Sequence, residues 1–242
     1  MKWIGSFVLI IFFLVACSEE SPTITKIDSS ENNINQKPAL IENELEENND
    51  EEKELLLEFK LPNEIVTINL ERVGILKNYL DGVENSQIEI NNMNLLPLEI
   101  PNETLYLLEF SCQNNTCSYL LLDQGNDDGR SLLIADLAKY QQLIPSPDND
   151  KLLFVFSRNS DLADYEKNRT IIIDMNEFIS IHITNPNDKR FFEYQWPFEH
   201  ITWKDNTTVT ITIPEVLEPD SSLLNAWLQS ERETKTHTIK LD

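Results

Sequence analysis

The chain has 242 residues, and its 42 Asp and Glu against 19 Lys and Arg give a formal net charge of −23. A surface that acidic repels DNA, RNA and anionic head groups, and no basic stripe offsets it, so nucleic-acid binding is excluded. The length is sufficient for one sizeable folded core.

At the N-terminus, Lys2 precedes 14 residues, Trp3 to Ala16, interrupted only by the small Gly5 and Ser6. A helix needs about 20 apolar residues to cross a bilayer, so this run is too short to span one. A cation, a short apolar stretch and small residues at a cut site are the parts of a secretory signal. The end of the run, Leu14-Val15-Ala16-Cys17, resembles the lipobox of bacterial lipoproteins. The resemblance implies that residues 1–16 are a signal peptide and that Cys17 carries the lipid. It also implies an extracytoplasmic protein anchored to the bacterial cell membrane, since several acyl chains hold a protein on a bilayer without a second signal.

Residues 18–54 hold 12 acidic side chains against Lys26, Lys37 and Lys53 and are poor in aromatics. Such a stretch buries too little apolar surface to offset its ordering entropy, and residues 17–54 are expected to be a disordered acidic tether. The folded domain is expected over 55–242.

Strand signals dominate that domain. Short apolar or alternating runs lie at 55–61, 64–70, 104–110, 119–122, 131–134, 151–156, 170–173, 178–183 and 209–213, separated by Asn, Asp, Gly and Pro clusters. Two helices are expected. Residues 71–80 place Val73, Leu76, Tyr79 and Leu80 at helical spacing, and 221–231 follow an Asp220 cap with Leu223, Leu224, Trp227 and Leu228 on one side. Cys112 and Cys117 flank a polar loop between two strand signals, which predicts a hairpin closed by a disulfide in an oxidising compartment.

The strands are organised by a weak repeat. Leu133-Ile134-Ala135-Asp136 leads to Ser146-Pro147-Asp148-Asn149 and then Leu152-Leu153-Phe154-Val155-Phe156. Later, Ile171-Ile172-Ile173-Asp174 leads to Ile201-Thr202-Trp203-Lys204-Asp205-Asn206 and then Val209-Thr210-Ile211-Thr212-Ile213. The pattern over 131–214 resembles β-propeller blades, with Asn149 where Gly is usual and an insertion before His200. Four blades of about 45 residues would fill the domain. The expected fold is therefore mainly β, with antiparallel strands in an incomplete propeller-like or sandwich-like array and two short helices.

Chemical motifs are sparse. Gln124-Gly125-Asn126-Asp127-Asp128-Gly129 lacks the first and twelfth ligands of a calcium loop and reads as a turn, with Gly125 and Gly129 supplying positive φ. His182, His200 and His237 have no partner at metal-ligand spacing, and no cofactor or metal site is expected. No nucleophile elbow or phosphate-cradling loop is present. Residues 191–203 concentrate six aromatics, of which Tyr194, Trp196 and Trp203 could form a ligand surface by stacking and hydrogen bonding. The competing reading places these rings in the core between strands. The expected function is that of a cell-envelope lipoprotein with a non-enzymatic binding or interaction domain. Its expected partners are the membrane through the lipid and an envelope protein or cell-wall component. The alternative is an envelope saccharide- or peptide-directed hydrolase or ligand receptor.

Overall fold

A computed structural model describes residues 22–29, 37–44, 53–125, 129–159 and 165–241. The signal run and Cys17 lie outside these residues. Among them, no helix is long and apolar enough to cross a membrane.

The fold is mainly β, and its sheets are antiparallel throughout. The first sheet holds β1 (Ile24–Asp28), β2 (Ala39–Glu44), β3 (Lys53–Lys60) and β4 (Glu64–Asn69) in the order β1-β4-β3-β2. Two helices follow, α1 (Gly74–Gly82) and α2 (Ser86–Asn92). The next seven strands form one meander: β5 (Asn94–Leu98), β6 (Leu105–Gln113), β7 (Thr116–Asp123), β8 (Arg130–Pro145), β9 (Lys151–Asn159), β10 (Glu166–Asp174) and β11 (Ile179–Ser180). After α3 (Pro186–Lys189) and a 3-10 turn at Arg190–Phe192, a three-stranded sheet closes the chain in the order β12 (His200–Asp205), β13 (Thr208–Pro214) and β14 (Thr234–Lys240). Helix α4 (Ser221–Leu228) sits between β13 and β14.

The meander is two layers joined by one strand. In β8, residues up to Ala138 pair with β7 and residues from Lys139 pair with β9. Leu137 adopts φ 44° just before the changeover, at a register shift of the β7 ladder and close to another on the β9 ladder, and bends the strand from one layer into the next. Four β layers result.

Three hydrophobic cores fill the spaces between layers, and side-chain alternation assigns each residue to one of them. Tyr106, Leu108, Leu120 and Leu122 face the first core with Leu57 and Ile68, whereas Leu105, Leu107, Tyr119 and Leu121 face the second. Phe154, Phe156, Ile171 and Ile173 close the second core, while Leu153, Val155 and Ile172 turn to the third with Trp203, Val209 and Ile211. Strands buried on both faces read as continuous apolar runs, which explains the sequence of β6, β7, β9 and β10. Among the described residues no core cluster joins the first layer to the fourth, so the array is open.

Several expectations need correction. The tether does not hold as a disordered segment throughout, because Ile24–Asp28 pairs with β4 and Ala39–Glu44 pairs with β3. Ile24 is buried in the first core. Helices α2 and α3 join the two expected ones, and the strand expected over 178–183 shrinks to Ile179–Ser180. Gly129 has φ 63°, but Gly125 is not among the positive-φ residues and its N–H donates to Asp123 Oδ1 at 2.7 Å. At Gly129 a Cβ would come within 2.9 Å of Ile24 Cγ2, so close packing as well as φ favours glycine there. Asn149, with φ 64°, takes the position where the blade pattern carries Gly, and Asn is among the few other residues that tolerate it.

Candidate functional site

The insertion before His200 builds the main cleft. Strand β11 pairs with β10 only at Ile173 and Asp174, and the Ile181 N–H extends the pairing by one bond to the Ile172 carbonyl. The chain then leaves the sheet edge and returns at Trp196, whose carbonyl accepts from the Asn168 N–H at 2.7 Å. Strand alternation aims the intervening Thr170 N–H and C=O toward the same open edge. The Thr170 hydroxyl ties the excursion back by donating to the Phe191 carbonyl at 2.7 Å. A cavity of about 640 Å³ lies between this edge and the excursion.

Its lining has the opposite charge to the body of the protein. Arg158, Arg169 and Lys189 project into it with His182, and Glu193 is its one acidic lining residue among those described. Arg158 and Arg169 come from adjacent strands: Arg158 pairs with Lys167 in the β9–β10 ladder, so Arg169 is its diagonal neighbour. Ile181, Ile183 and Phe192 give the cavity an apolar wall.

Tyr194 organises the cations. The Arg158 guanidinium lies 4.1 Å from its ring centroid and that of Arg169 5.8 Å away. Burial raises the Tyr194 hydroxyl above its ordinary pKa, with the two guanidinium charges opposing the rise, so the phenol is protonated at neutral pH. Arg158 is further held by bonds from Nε to the Leu137 carbonyl at 3.0 Å and from Nη2 to the Asp136 carbonyl at 2.6 Å. Arg169 differs. Its Nε is buried without a hydrogen-bond partner, and no ion pair joins it to a carboxylate among the described residues. Lys189 reaches Glu193 at 3.6 Å on the exposed side.

The aromatic residues singled out in the sequence separate here. Tyr194 lines the cleft, whereas Trp196 and Trp203 are 3% and 9% exposed and belong to the third core. Trp203 Nε1 donates to the Ile144 carbonyl at 2.9 Å. Those two indoles therefore do not share a groove with Tyr194, whose ring packs against the second core. The cations of the cleft were not singled out from the sequence. Two arginines 11 residues apart gain meaning only once the β9–β10 register sets them side by side.

Cys112 and Cys117 form a disulfide with an S–S distance of 2.11 Å. They bracket a two-residue turn in which Asn114 and Asn115 both have positive φ, at 49° and 65°, as a type I′ hairpin requires. Their Cα atoms stand 4.0 Å apart, closer than the usual spacing of about 5.5–6 Å. The register shift between Phe110 and Gln113 accompanies this close approach. In the untreated folded protein, thiol labelling is expected to find neither residue reactive, and unfolding with reductant is expected to free both. Two labelled thiols before reduction would remove the bridge. Beside the hairpin, Glu166 accepts from Lys139 Nζ and Ser157 Oγ at 2.5 Å each and from Gln141 Nε2 at 3.0 Å. Those donors hold its carboxyl below the usual pKa, and the fully bonded group reads as structural.

Among the described residues, no group of three or more His, Cys, Asp or Glu could hold a metal ion. Fold and cleft together define an open stack of antiparallel β layers with a basic pocket on an acidic body. No protein family matches the chain, and neither does any curated protein or any solved structure.

Proposed function

We propose that this chain is a lipid-anchored protein of the bacterial cell envelope whose β domain binds a ligand or partner outside the cytoplasm without transforming it. The observation that carries the reading is the lipobox-like Leu14-Val15-Ala16-Cys17 behind a 14-residue apolar run. With Cys17 assigned to lipid, the remaining two cysteines are the two that stand at bonding distance, and disulfides persist in oxidising compartments. Binding is supported by the cleft, whose cations and apolar wall suit holding a molecule.

Anchoring is tested by Cys17→Ser. The variant is expected to leave the membrane fraction for the medium or periplasm, because the apolar run is too short to span a bilayer. Retention on membranes after a high-salt wash would overturn the assignment.

A further inference from the structure

We infer that the cleft between β10 and the 181–194 excursion binds a small organic anion, its carboxylate or phosphate held by Arg169 and Lys189 and its apolar body lying along Ile181, Ile183 and Phe192. This deepens the binding reading above and rests on it.

Charge supports the inference first. On a chain of net charge −23, three cations meet at one cavity with a single acidic residue among its described lining. Arg169 supports it next. A partly buried guanidinium that leaves Nε–H without an acceptor carries a desolvation cost, and an incoming oxyanion would remove it. The planar fork of Arg matches the two oxygens of a carboxylate or phosphate, and the cation-rich wall excludes a cationic ligand. Arg158 plays a different part. With Nε and Nη2 already given to backbone carbonyls and its face on Tyr194, it contributes positive potential and keeps Tyr194 in place beside Arg169. The volume of about 640 Å³ admits a molecule of one or two rings.

Isothermal titration of the full chain in mild detergent with phenyl phosphate, benzoate and benzyl alcohol separates the components. Saturable one-to-one binding of at least one anion is expected, weakening as salt rises, with benzyl alcohol bound at least about tenfold less tightly. Comparison of the two anions identifies which headgroup the site prefers. Arg169→Gln is expected to weaken the anion by about tenfold, as loss of a charged hydrogen bond does. Lys189→Gln, at an exposed position, is expected to weaken it about threefold, and Lys77→Gln, on helix α1 against the first core, to leave it unchanged. Equal binding of benzyl alcohol, no binding of either anion, or unaltered affinity in both cleft variants would overturn the inference. Because Cys17→Ser reports on anchoring alone, a soluble variant that binds no anion and a retained one that does are separate failures.

Discussion

Asp123→Ala is expected to destabilise the domain by about 3–5 kcal/mol, the usual cost of removing one partner from a buried ion pair. Asp123 is 1% exposed at the end of β7 and accepts from Arg130 Nε at 2.9 Å and Nη2 at 2.5 Å. Its other oxygen takes the Gly125 N–H. Arg130 also donates to the Met175 carbonyl at 3.2 Å and lies 4.5 Å over the Phe178 ring, so one guanidinium binds the second layer to the third. Losing the carboxylate would leave that cation held by carbonyls and a ring, with no anion opposite. Asp123→Asn keeps the shape and one acceptor and should cost less. Equilibrium urea unfolding of both variants checks this, and a loss below about 1 kcal/mol in Asp123→Ala would show that water reaching the partly exposed Arg130 already supports the site.

Trp203→Ala is expected to cost a similar amount, about 3–5 kcal/mol, corresponding to a fall in Tm of about 6–20 °C for a domain of this size. The ring fills the third core beside Val209 and Ile211, and its truncation also removes the donor to the Ile144 carbonyl. Trp203→Phe isolates the second effect, because it keeps most of the ring volume and loses the N–H. The alanine variant should retain anion affinity wherever it remains folded. Unchanged thermal unfolding together with lost binding would move Trp203 from the core to the ligand surface.

Period-two alternation and end signals made much of the fold legible. Val209, Ile211 and Ile213 alternate as β13 requires, and Asp220 caps α4 through the Ser222 and Leu223 N–H groups. The hairpin was visible in the Cys pair and its polar loop. Strands β1 and β2 were hidden because average composition over 18–54 outweighed the burial of Thr23 and Ile24, while their pairing depends on backbone bonds to β3 and β4. Strand β14 was hidden for a related reason: of its seven residues only Ile239 is fully buried, so its sequence reads as polar chain. Helix α2 offered only seven residues, too few to establish a helical period. The aromatic run carried two readings, and the core reading holds for Trp196 and Trp203 while Tyr194 lines the cleft. Net charge concealed the cations, since a sum over the chain carries no information about which charges become neighbours.

Strand β8 sets a limit on how the protein can be divided. A boundary between folding units normally falls where few bonds cross the chain, but here one uninterrupted strand belongs to the ladders on both sides of the bend. Cutting at Leu137 would leave each half with an unpaired edge and half of the second core. The middle two layers are therefore one unit that no cut at a chain boundary separates.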